Sequence, residues 1–299
     1  MKCRRHAQGA SIAFFGGASK QVTSWNLETG ANQTVAQVCA KLLHCLCYLC
    51  AHVPSQHPGT VSAVVAIPST QLLMSTCWGG STSITDLVSG AVAASLPSLP
   101  GGVLAAAACG SSLALAGADR AVLLFDLRNV QQPVCTTVSP LLHQTTTVSF
   151  SASGAAVAFG SVGGHIKAQP TNSLAQDQAV GTASVKSLTC HRLDKASGRC
   201  TQRGGVSFPV NALQWCPSSS AEPLLVSGGG DGSLTVWDTS QGRSTNQREN
   251  LGAAVTAAAW TPDGAHLLYA TGEDGAQAST SDGVKQQQPA ALHLMRAVQ

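Results

Sequence analysis

Charge is what this chain has least of. Asp, Glu, Lys and Arg make up 10% of its 299 residues, where an ordinary globular chain has roughly a quarter. Aromatics are scarce too, at 4%, while apolar content stays normal at 44%. Disorder of the highly charged kind is therefore excluded. The 17 basic and 14 acidic residues leave +3 and no basic tract, so strong direct nucleic-acid binding is not expected and RNA association is at most indirect or weak. Lys2, Arg4 and Arg5 are followed by Gln8-Gly9-Ala10-Ser11 with no apolar signal-type core, which predicts an intracellular protein. The longest apolar run, Leu42 to Val53, is interrupted by His44 and His52 and falls short of the roughly 20 residues that span a bilayer. No membrane insertion is expected. Eleven cysteines, an odd number without an export signal, read as reduced thiols.

Catalytic patterns are missing as well. There is no Gly-x-Ser-x-Gly elbow, His-Glu-x-x-His or phosphate loop, and the acidic residues are scattered. Neither catalytic residues, nor a cofactor, nor a small-molecule substrate is expected. Cys39, His44, Cys45, Cys47, Cys50, His52 and His57 are dense, but only Cys47 and Cys50 have the spacing of a zinc pair. An apolar insertion explains them better than a metal site.

What the chain does contain is a recurring strand pattern. Short apolar runs bounded by Gly, Ser, Asp and Pro follow one another without long amphipathic helical periodicity, which predicts an all-β fold. The clearest unit runs from Leu224 to Asp238, two β-rich runs around Gly229-Gly230-Asp231-Gly232, and Asp-Gly predicts a type I′ hairpin. A phosphate cradle is the alternative for these glycines, but no helix follows. Similar hairpins fall at Phe14–Asn26, Leu72–Asp86, Leu113–Asp126 and Val157–Gln169. The positions matching Asp238 are Asn26, Asp86, Asp126 and Gln169, separated in turn by about 60, 40, 43 and 69 residues, around the 40–45 of a WD-repeat propeller blade. Residues 38–56 and 170–205 supply the extra length as a Cys-rich insertion and a long inter-strand loop. A sixth, weaker unit runs from Val255 through Leu267–Gly272 to Ala291–Met295. Stacked blades pack through small aliphatic residues, which suits a chain so poor in charge.

These residues resemble one WD-repeat subfamily, that of the nuclear-pore mRNA-export factor and its relative, the Bub-type mitotic-checkpoint propeller. Lys20-Gln21-Val22-Thr23-Ser24-Trp25-Asn26-Leu27 and Gln33-Thr34-Val35-Ala36-Gln37 resemble the second blade of the export factor. Ser139-Pro140-Leu141-Leu142-His143-Gln144 and Phe159-Gly160-Ser161-Val162-Gly163-Gly164-His165-Ile166 resemble its fifth. The most specific match is Thr189-Cys190-His191-Arg192 placed before Phe208-Pro209-Val210-Asn211-Ala212-Leu213, whereas Phe125-Asp126-Leu127-Arg128-Asn129 leans toward the checkpoint protein. The resemblance implies a seven-bladed WD-repeat β-propeller over residues 1–299, with the first blade missing or incomplete. Residues 38–56 have no counterpart in the family and are a lineage-specific insertion or spuriously translated sequence.

The resemblance also implies a role. The expectation is a non-enzymatic scaffold that binds a GLEBS-type peptide of a nucleoporin and supports mRNA export, residing at the nuclear pore and envelope and shuttling to the cytoplasm. The alternative is a spindle-checkpoint scaffold binding a related motif of a checkpoint kinase at kinetochores. Family members receive such peptides through basic side chains that meet glutamates, which makes Arg192 and His191 the partner-binding candidates, with Lys186 as an auxiliary cation. An arginine fork suits carboxylates. The competing reading is that His191 and Arg192 only satisfy local backbone groups at a strand end. Trp25 and Trp237 read as core, while Trp78, in a hairpin turn before Gly79-Gly80, reads as an exposed peptide contact.

Overall fold

The structure, a computed structural model, describes residues 2–5, 12–16, 22–26, 32–34, 57–174, 186–193, 205–217, 224–248, 251–261, 264–272 and 291–296. The chain divides into two compact units, Met1–Val138 and Ser139–Gln299. The first holds three four-stranded antiparallel sheets, each a simple meander. They are β1 (Lys2–Arg5), β2 (Ile12–Gly16), β3 (Val22–Asn26) and β4 (Asn32–Thr34); β5 (Val61–Ala66), β6 (Leu72–Cys77), β7 (Thr82–Asp86) and β8 (Val92–Leu96); and β9 (Val103–Cys109), β10 (Ser112–Gly117), β11 (Ala121–Asp126) and β12 (Cys135–Val138).

The second unit opens with the four-stranded sheet of β13 (Thr145–Phe150), β14 (Ala156–Ser161), β15 (His165–Pro170) and β16 (Lys186–Thr189). A short 3-10 turn, Thr171–Leu174, follows β15. A two-stranded ribbon of β17 (Arg192–Leu193) and β18 (Val206–Ser207) leads into the sheet of β19 (Val210–Trp215), β20 (Leu224–Gly229), β21 (Leu234–Asp238) and β22 (Arg243–Arg248). The last sheet has three strands, β23 (Ala254–Trp260), β24 (His266–Gly272) and β25 (Ala291–Arg296).

Burial explains the composition. The first strand of a blade is buried almost end to end, as in β5 (Val-Ser-Ala-Val-Val-Ala) and in β9, whose run of alanines is nearly all inside. The outermost strands β8 and β12 are largely exposed. A strand covered on both faces has no place for charge and favours small side chains that let sheets approach. Gly160 on β14 and Gly228 on β20 occupy the same register position, each one strand-pair inside the hairpin turn. A Cβ at Gly160 would lie 2.8 Å from Val210 of β19, and one at Gly228 would lie 2.3 Å from Val255 of β23. Glycine there admits a valine from the next blade.

Two repeat features recur. Each of β5, β9, β13, β19 and β23 shifts register once against its second strand, skipping Ser62, Leu104, Thr146, Asn211 and Thr256 in turn. Such a bulge sharpens local twist. At the end of the third strand, Asp86, Asp126 and Asp238 each accept the backbone N–H two residues on, at 2.7, 2.9 and 2.7 Å. This Asx turn starts the connection to the outer strand.

Several expectations need correction. Five complete four-stranded blades stand among the described residues, not seven. The residue matching Asp238 in the fourth blade is Pro170, paired with Ala156, rather than Gln169, and the 3-10 turn replaces the Asx turn. The turn at Asp231-Gly232 is not type I′: Gly232 bonds back to the Gly229 carbonyl at 3.2 Å, and only Gly232 has positive φ, at 73°. That is a longer hairpin connection with a left-handed final residue, for which glycine is suited. Residues 170–205 are not one loop, since they contain β16, the outer strand of the fourth blade, and β17. The Cys-rich segment 38–56 lies outside the described residues.

Candidate functional site

His191 sits between β16 and β17 in a left-handed backbone conformation, φ 53°, and its side chain is fully buried. Its Nδ1 is 2.8 Å from Asp231 Oδ1 and 3.0 Å from Ser233 Oγ, and its Nε2 is 3.0 Å from Ser227 Oγ. Trp237 donates its indole N–H to the same Ser227 hydroxyl at 2.8 Å, while Ser233 donates to Asp231 Oδ2 at 2.7 Å. A strand-end residue, a hairpin turn and two strands are thus tied by one closed polar network. Gly229 completes it, because a Cβ there would lie 2.3 Å from the imidazole. Burial opposes charge on His191, but the neighbouring Cys190 sulfur and the Asp231 carboxylate outweigh it and push its pKa up to about 10. Burial likewise opposes charge on Asp231, yet hydrogen bonds from His191 and Ser233 hold its carboxyl below the usual range. The pair is ionised and internal. His191 is therefore not available to a partner, and the expectation that it contacts a peptide is corrected in favour of a structural latch.

A second latch of the same layout joins the second blade. His57 Nδ1 is 2.9 Å from Ser81 Oγ and its Nε2 is 2.8 Å from Ser75 Oγ. Ser75 and Ser227 hold the same place on their second strands, but Gly79 stands where the other turn has Asp231. Without that carboxylate, burial lowers the pKa of His57 and keeps the ring neutral.

The other candidates divide between the two units. Arg192, on β17, is half-buried and donates through Nε to Ser207 Oγ at 2.9 Å; among the described residues no carboxylate forms an ion pair with it. Lys186 lies on β16 in register with Ala168. Trp78, in the first unit, is 63% exposed, and its backbone N–H is fixed by the Thr60 carbonyl at 3.0 Å. The same turn position in the fourth blade carries Val162, 43% exposed, bonded to the Gln144 carbonyl. Trp215 and Trp237 are in the core. Among the described residues, no cluster of His, Cys, Asp and Glu is arranged to hold a metal ion, and no helix is long and apolar enough to cross a membrane.

The network of His191, Ser227, Asp231 and Trp237 overlaps the segment that matches a known family. The WD domain, G-beta repeat family matches residues 198–238. Residues 198–238 thus carry a WD40 repeat. The chain is 28% identical to the mitotic checkpoint protein BUB3.1 of Arabidopsis thaliana over 185 residues, 62% of this chain and 49% of that protein. It is 23% identical to the mitotic checkpoint protein bub-3 of Caenorhabditis elegans over 205 residues, 68% of this chain and 57% of that one. The WD40 repeat protein poxJ of Penicillium oxalicum is 28% identical over 166 residues, 56% of this chain and 44% of poxJ. The chain spans about half the length of the curated relatives it matches. Among solved structures, the crystal structure of the mitotic checkpoint complex contains a chain that superimposes with a TM-score of 0.59 at 16% identity, covering 87% of this chain and 67% of that one. That likeness establishes the fold. The WD40 family is one of scaffolds and is generally non-enzymatic.

Proposed function

We propose that this protein is a WD40 scaffold of the mitotic checkpoint type, which docks a short glutamate-bearing peptide, of GLEBS type, carried by a checkpoint kinase at kinetochores. The observation that carries this reading is the similarity to two mitotic checkpoint proteins over 62% and 68% of the chain. It reverses the order of the two sequence-based readings. Surface chemistry supports docking of an acidic peptide: Arg192, whose Nε donates to Ser207 Oγ, carries a guanidinium of the kind that forms charge-assisted pairs with carboxylates. Trp78 offers a large aromatic face held on a fixed turn, and Lys186 is an auxiliary cation. The second reading, an mRNA-export scaffold that binds a nucleoporin motif at the nuclear pore and shuttles to the cytoplasm, rests on the blade-like segments around Lys20–Leu27 and Ser139–Gln144.

Pull-down of the full chain with one GLEBS-type peptide from a checkpoint kinase and one from a nucleoporin separates the two readings. Preference for the kinase peptide supports the checkpoint reading, and preference for the nucleoporin peptide overturns it in favour of export. Arg192→Glu should abolish capture. Trp78→Ala should leave stability within about 0.5 kcal/mol and weaken binding about tenfold or more. Capture of neither peptide, or indifference to both substitutions, refutes docking through these residues.

A further inference from the structure

The fourth blade carries two histidines that the buried latches do not use. His143, exposed in the loop before β13, and His165, half-buried at the start of β15, stack with ring centroids 6.5 Å apart and planes 17° from parallel. The turn is built to admit this pair, because a Cβ on Gly163 would fall 2.4 Å from His143 Cδ2. Lys167 lies two residues along the same face of β15 and donates its ammonium to the Pro140 carbonyl at 3.4 Å. Leu142 and Val162, 79% and 43% exposed, add an apolar margin.

Among the described residues, the charged groups placed near His165 are cationic. Arg192 on β17 and His143 in the preceding loop both act on it electrostatically. Lys167 shares its strand, and on β16 its register partner is Thr189, with Lys186 opposite Ala168. In the turn, Ser161 engages the His165 backbone. Among the described residues, neither Arg192 nor Lys167 is ion-paired with a carboxylate. A surface that concentrates positive potential, carries two imidazoles and is edged by exposed apolar groups is complementary to a segment that alternates carboxylates with aliphatic side chains.

We propose that His143 and His165 extend the Arg192 site into a proton-coupled receptor for the carboxylates of an acidic, partly apolar peptide, so that docking takes up protons and tightens as pH falls. This rests on the docking reading above. In the free protein, burial first, then Arg192 and His143, hold His165 below its ordinary pKa of 6.5, so the imidazole is neutral near pH 7. A carboxylate placed beside it reverses the field, raises its pKa and favours the imidazolium. Protons are then bound with the ligand, and by linkage each proton taken up can change affinity by up to about tenfold per pH unit. Glutamate, with an ordinary pKa of about 4.3, stays ionised between pH 6.0 and 7.5 and contributes no slope of its own.

The test is fluorescence anisotropy of the labelled kinase-type peptide with the full chain at pH 7.5 and 6.0. Wild type should bind about fivefold or more tightly at pH 6.0, and His143→Gln combined with His165→Gln should reduce that ratio to less than about twofold. Arg192→Glu should lose binding at both pH values. His143→Gln alone alters an exposed ring and should give an intermediate ratio, which keeps the test decisive if the double variant misfolds. Binding with no pH dependence, or with the same dependence in the histidine variants, overturns this inference and leaves the docking reading intact. No binding at either pH overturns both.

Discussion

Replacing Asp231 by Asn keeps the shape of the turn and removes the charge that holds His191 protonated. In the wild type the imidazole pKa moves from an ordinary 6.5 to about 10 on folding. Breaking one side of a buried ion pair typically costs about 3–5 kcal/mol. A raised folded pKa contributes stability that is fully present below 6.5 and is lost as pH rises toward about 10. Asp231, whose folded pKa is lowered, contributes stability that is present above its ordinary carboxylate range and is lost on acidification. Urea unfolding should therefore show the stability gap between the wild type and Asp231→Asn at full size near pH 6 and shrinking as pH rises toward 9. Asp231→Asn should be about 3–5 kcal/mol less stable at pH 6 and fall less steeply than the wild type between pH 7 and 9, because Asp231 no longer raises the His191 pKa while Cys190 still does. Parallel profiles for the two proteins across that range would refute the ionised latch.

Gly229→Ala places a methyl 2.3 Å from the His191 ring and 2.7 Å from Asp231 Oδ1, and should cost about 2–3 kcal/mol or prevent folding, read as a lowered urea midpoint. His57→Gln removes bonds to Ser75 and Ser81 and should cost about 1–2 kcal/mol above pH 7. Because the folded pKa of His57 is lowered, the wild type loses that share as pH falls below 6.5, and the gap between the two proteins should narrow at pH 5. A gap that widens on acidification would show His57 to be charged in the fold.

Local chemistry made the hairpins legible. Gly-rich turns between β-branched runs and an Asp two residues before a backbone donor are decided within a few residues, and β6–β7, β10–β11 and β20–β21 fall where those signals put them. The outer strands carry no such signal. β16 (Lys-Ser-Leu-Thr) and β22 (Arg-Ser-Thr-Asn-Gln-Arg) gain strand structure from the neighbour they pair with, so β16 reads as loop when taken alone. His191 was legible as a singular residue but not in its role, because its charge and burial are set by Asp231, 40 residues away. One available signal was Asp231 standing in the hairpin turn of the blade that ends on Trp237-Asp238, since a carboxylate drawn into a buried turn needs an internal partner.

The corresponding position in three blades shows how one packing requirement is met with different amounts of charge. Thr60, Gln144 and Pro209 each accept the turn N–H of their blade, from Trp78, Val162 and Gly230, which aligns the segments before the first strands. Three residues ahead of Thr60 is the neutral His57, against Ser75; the charged His191 plays the same part against Ser227 in the blade of β19–β22. Three residues ahead of Gln144 is Leu141, 4% exposed, and the second-strand position of Ser75 and Ser227 is filled by the fully buried Phe159. An aliphatic residue and an aromatic one take those two places in the fourth blade, and its histidines, the exposed His143 and the half-buried His165, lie elsewhere in it, near Arg192. Only where the turn supplies Asp231 does an internal ion pair follow, and it is the one buried pair among the described residues. A chain with 10% charged residues can therefore close its blades mainly through apolar and neutral contacts while Arg192 and Lys167 lie near the His143–His165 turn, where an acidic partner would meet them.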